Sequence, residues 1–218
     1  MIRHLVLAGI LLTAPLASAA AQQQGLSLDN ILTMADAERR GPVDQYLLGR
    51  QAAAELAANS KLLPAGHALT DYLRRVVHTL ALGSNAPYVY RGPVVGVLDT
   101  PEINAFAAPG GFIMVTTGLI DFLDGEDELA SILGHELGHI ELEHTLYEMR
   151  NAVAGKMWQQ ATGAKDMDSG MTKWIKQGYS VEIEAEADAR GIALAAAAGY
   201  DPRALIGVLE RFRSRTNS

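Results

Sequence analysis

The apolar positions of this chain change period twice, and the changes separate helical ends from an extended middle. Residues 28–59 follow a helical pattern that breaks at Gly41-Pro42, and 46–58 is alanine-rich with few breakers. Residues 64–82 predict a second helix. There Leu69, Tyr72, Leu73, Val76, Val77 and Leu80 recur at helical spacing and form one apolar stripe. The period then shortens. Val94-Val95-Gly96-Val97-Leu98 is β-branched and bounded by Gly92-Pro93 and by Asp99-Thr100-Pro101. Residues 103–107 read as a second strand and, after Pro109-Gly110-Gly111, residues 112–117 as a third, so the middle predicts a small sheet. Helical spacing returns after 121–125, where Glu126 and Glu128 suit the first turn of a helix. Residues 145–160 read as its continuation, 161–172 as a glycine- and aspartate-rich loop, and 174–198 as the last long helix. Gly199 stops that helix, and Asp201-Pro202 opens a terminal one. The pattern is that of an α+β protein, mainly helical, without internal repeats.

Composition narrows the picture. The 218 residues suit one sizeable domain or two small ones, and 49% hydrophobic residues supply a core. A formal net charge of −7 excludes a basic nucleic-acid face. The absence of cysteine excludes disulfides, a thiolate nucleophile, cysteine-ligated zinc and lipid attachment at a cysteine. Residues 1–21 read as a signal peptide: Arg3 and His4 make a positive start, 5–17 is a short apolar run, and Ala17-Ser18-Ala19 or Ala19-Ala20-Ala21 offers the cleavage site. The expectation is an exported, periplasmic protein with no stable membrane span after cleavage; the alternative is an uncleaved anchor. Residues 22–44 then form a linker and helix, and 45–218 the remaining domain.

The chemistry concentrates in His135-Glu136-Leu137-Gly138-His139. Histidines four residues apart lie about 40° apart around a helix, so both imidazoles reach one metal ion. Glu136 falls between them, placed to take a proton from a metal-bound water, which is the zinc-metallopeptidase signature. Catalytic zinc takes three protein ligands and leaves a fourth position for water. His144 lies half a turn round from His135 on a straight helix and is not expected to reach the metal; it is expected instead to cap or brace the helix, or to hydrogen-bond an acid of the last long helix. Glu143 shares a face with His139 one turn beyond, and reads as solvated or as an outer contact of the site.

The third ligand is expected from residues 181–190. Glu182, Glu186 and Arg190 share one face, predicted to be solvent-facing with a Glu186–Arg190 pair. Glu184 and Asp188 share the other face with Val181, Gly191, Ile192 and Ala195. Two acids on a small apolar face are costly to bury without a partner, and a metal with its histidines is such a partner. Glu184 is then the third ligand, and Asp188 receives a ring N–H from a ligating histidine. An ordinary exposed acidic helix is the alternative. His67 and His78 have no partner at ligand spacing and read as surface or capping histidines.

These blocks together resemble the zinc metallopeptidase family of the CAAX prenyl proteases, HtpX, the Oma-type proteases and the periplasmic β-barrel-assembly-enhancing protease. Asn104-Ala105-Phe106-Ala107 through Pro109-Gly110-Gly111 is similar to the family's strand region, and Glu128-Leu129-Ala130 through His139 to its active-site helix. Glu184 to Asp188 is similar to its acidic motif, and Ala198-Gly199-Tyr200-Asp201-Pro202 to its following turn. The resemblance covers roughly residues 45–205 and is greatest to the soluble periplasmic branch. It implies a zincin-like domain with a small sheet beside the active-site helix and one zinc ion per chain. It also implies action on unfolded or misassembled exported polypeptides, with envelope-assembly partners. The family's serine-arginine pair stands here as Ser180-Val181, so the arginine is missing. Residues 111–117 are expected to form a sheet edge where a substrate pairs, with Gly110 and Gly111 either keeping the approach clear or simply turning the chain. A zinc-containing holdase with latent peptidase activity is the competing reading.

Overall fold

A computed structural model describes residues 41–58, 60–84, 90–148 and 179–216. The residues that read as a signal peptide and linker, the predicted helical stretch before Gly41 and the predicted loop over 161–172 lie outside these residues. The described chain is α+β and mainly helical, as the pattern implies. Its elements are α1 (Pro42–Ala58), α2 (Ala68–Ala81), β1 (Val94–Leu98), β2 (Ala105–Ala108), β3 (Phe112–Thr116), α3 (Thr117–Phe122), α4 (Glu126–Glu141), α5 (Val181–Ala197) and α6 (Ala204–Thr216). A 3-10 turn, Pro109–Gly111, joins β2 to β3. Among the described residues no helix is long and apolar enough to cross a membrane.

The sheet order is β1-β3-β2, with β1 parallel and β2 antiparallel to β3. This corrects one expectation. The strand after Gly111 is central, not an edge, and β1 and β2 are the outer strands. Two-residue alternation sends the sheet's side chains into two layers. Val95, Val97, Ile113 and Val115 enter the main core with Leu73, Val77 and Leu80 of α2 and Leu133 of α4. Phe112, Met114 and Leu98 face the other way, onto Tyr46 and Ala53 of α1. The α2 stripe is buried at Leu73, Val76, Val77 and Leu80, as predicted. His67 caps that helix, its Nδ1 accepting from Leu69 N at 3.3 Å, and His78 is exposed.

Gly110 and Gly111 make a buried turn with φ of 69° and 91°. A Cβ on Gly110 would stand 2.4 Å from Tyr46 Cα. The pair therefore turns the chain beneath α1 and does not open an approach to the sheet.

α4 is buried on every side from Leu129 to His139. Its acidic first turn holds the family-like turn after α5: Tyr200 Oη donates to Glu126 Oε1 at 2.9 Å, and Asp201 N donates to Asp127 Oδ1 at 3.0 Å. Arg211 of α6 bonds Glu128 with both terminal nitrogens and reaches Asp124 Oδ2 at 2.7 Å. Burial does not dominate at Glu128: the Arg211 guanidinium holds its carboxyl below the usual carboxylate value.

Candidate metal centre

Two helices build the site, and small residues set their separation. On α4, Gly134 and Gly138 face α5; on α5, Ala187 and Gly191 face back. A Cβ on Gly134 would stand 2.8 Å from Gly191 O, one on Gly138 2.8 Å from Ala187 O, and one on Gly191 2.5 Å from His135 N. Only a nearly bare backbone permits this approach. The next residues round each helix are then brought within side-chain reach: His135 and His139 from α4, Glu184 and Asp188 from α5.

His135 Nε2 and His139 Nε2 are 3.0 Å apart. Glu184 Oε2 lies 3.4 Å from the first and 3.9 Å from the second. All three residues are buried, and these ligand atoms lie within 4.8 Å of one another. Neighbouring ligands on a tetrahedral ion with bonds of about 2.0–2.1 Å are separated by about 3.3 Å, within the observed spread. Glu184 Oε2 is buried without a hydrogen-bond partner. An orphaned carboxylate oxygen facing two ring nitrogens fits a cation.

The outer contacts fix which ring nitrogens face inward. Asp188 Oδ1 is 2.8 Å from His135 Nδ1. A carboxylate only accepts, so Nδ1 carries hydrogen and Nε2 keeps its lone pair for a metal. Burial disfavours a charge on His135, but the carboxylates of Asp188 and Glu184 outweigh it and lift the imidazole to about 10. Burial pushes His139 down, to about 2, and the charges of His135 and His144 push the same way. Glu136 is buried beside this cluster. Burial pushes its carboxyl up to about 7, opposed by His135 and reinforced by Glu184.

Several expectations need correcting here. α4 does not run on through 145–148. It ends at Glu141, Leu142 caps it, and Glu143 takes a left-handed φ of 56°. A new helical segment starts at His144, and 149–160 lie outside the described residues. The break swings buried His144 back, so that its Nδ1 is 3.0 Å from His139 Nδ1 and its Nε2 is 3.3 Å from Glu186 Oε2. It therefore lies against His139 instead of pointing away, and of its expected roles it takes the hydrogen bond to an acid of α5. Glu143 is exposed and accepts from Gln45 Nε2 at 2.8 Å.

The last long helix begins at Val181, with Ser180 as its cap, and not at Trp174; residues 174–178 lie outside the described ones. Glu182 and Glu186 are solvent-facing as predicted, but the Glu186–Arg190 pair does not form. Arg190 turns to α4, its Nε 2.9 Å from Glu141 Oε2. Such a pairing between helices has no signature in local spacing.

Tyr179 carries no sequence signal, yet its ring stacks on His139 at 4.3 Å between centroids and 20° between planes. Its hydroxyl lies 2.9 Å from Thr145 Oγ1, which donates to Ala107 O at 3.5 Å. That carbonyl belongs to the open side of β2. Thr116 N donates to Asn104 O at 3.1 Å, so by alternation Phe106 and Ala108 also face β3. Ala105 and Ala107 point outward, and Asn104 Oδ1 takes the Ala105 N–H at 2.9 Å. The free edge of the sheet is thus linked to the histidine cluster through Thr145 and Tyr179.

Comparison with known proteins places the chain among peptidases. The chain is 28% identical over 203 residues to metalloprotease YcaL of Escherichia coli, covering 87% of this chain and 74% of that protein. It is 28% identical over 236 residues to the β-barrel assembly-enhancing protease of Yersinia pestis, covering 97% of this chain and 47% of that one. It is 32% identical over 119 residues to the mitochondrial metalloendopeptidase OMA1 of Arabidopsis thaliana, covering 53% of this chain and 24% of that one. The chain thus spans less than half the length of two of these three relatives. Residues 67–215, which include every element of the site, match peptidase family M48, and the chain belongs to that family and carries its metallopeptidase domain.

Proposed function

We propose that the chain is a zinc-dependent metalloendopeptidase of the cell envelope, acting on unfolded or misassembled exported polypeptides. The observation that carries the reading is the convergence of His135 Nε2, His139 Nε2 and the orphaned Glu184 Oε2 beside buried Glu136. His135, His139 and Glu184 would hold the ion, and Asp188 would orient His135. When bound, zinc polarises the scissile carbonyl and makes the attacking water more acidic. Glu136 accepts a proton from that water and delivers it to the leaving amine nitrogen.

The outward side of β2 supports the substrate class: the Ala105 N–H and the Ala107 carbonyl already have partners, and the Ala105 carbonyl and the Ala107 N–H face the same way. An extended peptide pairs with such an edge through its main chain, which favours unfolded chains over any one sequence. The named relatives include β-barrel assembly-enhancing proteases, which favours an envelope role with assembly partners. Export rests on the signal-like pattern of residues 1–21.

Two measurements on protein recovered from the periplasm test this. Metal analysis should find about one zinc per chain, and casein digestion should stop with o-phenanthroline. Protein that digests casein equally well with and without the chelator would defeat the reading.

A further inference from the structure

We infer that His144 is a positioning residue for His139, accepting its Nδ1–H while Glu186 holds His144 in place; the inference rests on the zinc reading above. The hydrogen-bond roles follow from the two ends. Glu186 accepts, so the His144 Nε2–H donates to it, across 3.3 Å. A His139 that holds the ion through Nε2 carries its hydrogen on Nδ1, so His144 Nδ1, 3.0 Å away, accepts it. His139 is left with a lone pair on Nε2, the atom that faces His135 Nε2 at 3.0 Å. Both inward-facing histidines are thus held in one tautomer, His135 by Asp188 directly and His139 through His144.

Helix geometry shows why an intermediary is needed. Glu186 and Asp188 are two residues apart on α5 and point about 200° apart. Asp188 shares the face of Glu184 and reaches His135. Glu186 faces outward, its side chain 66% exposed, and His144 spans the distance from it to His139. The turn that delivers His144 requires the left-handed Glu143, a conformation that a non-glycine residue adopts only where its surroundings impose it. If His144 only filled space, neither a second acceptor on α5 nor the inward aim of its Nδ1 would be needed.

The test compares zinc affinity, by chelator competition, and the visible spectrum of the cobalt-substituted protein. The proteins are wild type, His144→Ala, His144→Asn and Glu186→Ala. His144→Ala should weaken zinc about 10- to 100-fold, as loss of an outer partner does, and alter the cobalt bands. His144→Asn places a carbonyl oxygen where Nδ1 lies and should recover most of that loss. Glu186→Ala, at an exposed position, should weaken zinc by about three- to tenfold. Wild-type affinity in His144→Ala, or an Asn variant no better than Ala, overturns the inference and leaves the zinc reading standing. If His144→Ala does not fold, Glu186→Ala decides, and wild-type affinity there overturns it. A wild-type protein that binds no zinc overturns both.

Discussion

Gly191 and Gly134 meet so closely that a Cβ on Gly134 would lie 2.8 Å from the Gly191 carbonyl oxygen. This contact sets the spacing from which Glu184 reaches His135. Gly191→Ala should therefore push α5 away from α4, because its Cβ would meet His135 N at 2.5 Å. The expected cost is about 1–3 kcal/mol of stability, as for overpacking, with a clear loss of zinc affinity. Thermal melting and chelator competition check it. Wild-type zinc affinity in this variant would show that helix spacing does not set the site.

Glu184→Ala should reduce zinc affinity more than any other acid substitution on α5. Asp188→Ala should cost about 10- to 100-fold, as removing an outer partner does. Glu182→Ala should change nothing, since Glu182 is exposed in the first turn of α5. Metal content after dialysis, measured side by side, ranks the three.

Zinc removal should lower the melting temperature, because an ion that binds only the folded state stabilises it by mass action. The drop should vanish in Glu184→Ala, which has no tight site to empty. Calorimetry with and without a chelator reads this directly.

The Arg211–Glu128 pair gives a pH prediction. Arg211 holds the Glu128 carboxyl below its usual 4.5. A depressed carboxylate stabilises the fold above the unfolded value, and that contribution is lost as pH falls through the folded one. Glu128→Gln should cost about 2 kcal/mol at neutral pH, typical of a hydrogen bond to a charged group. The gap from wild type should narrow below pH 4.5. A gap independent of pH would mean the loss comes from packing alone.

Local geometry made much of this protein legible in its sequence. The three strands, the amphipathic α2, the four-residue spacing of His135 and His139 and the shared face of Glu184 and Asp188 all follow from periods of two or 3.6 residues. What was not legible depends on the tertiary fold. The central place of β3 depends on strand order, which no strand's own pattern records. Arg190 finds Glu141 on another helix, although Glu186 lies four residues away. The return of His144 turns on Glu143, whose left-handed backbone is imposed from outside and leaves no glycine to announce it. Tyr179 stands one residue before the Ser180 cap of α5, and its stacking on His139 joins two helices distant in sequence.

The most direct test of the central claim is casein hydrolysis by zinc-loaded Glu136→Gln beside wild type, with metal content matched. The exchange keeps shape and the ligand set but removes the group that accepts the water's proton. The rate should fall at least about 100-fold with zinc retained, as for loss of a general base. A variant that retains zinc and cleaves within a few-fold of wild type would contradict it.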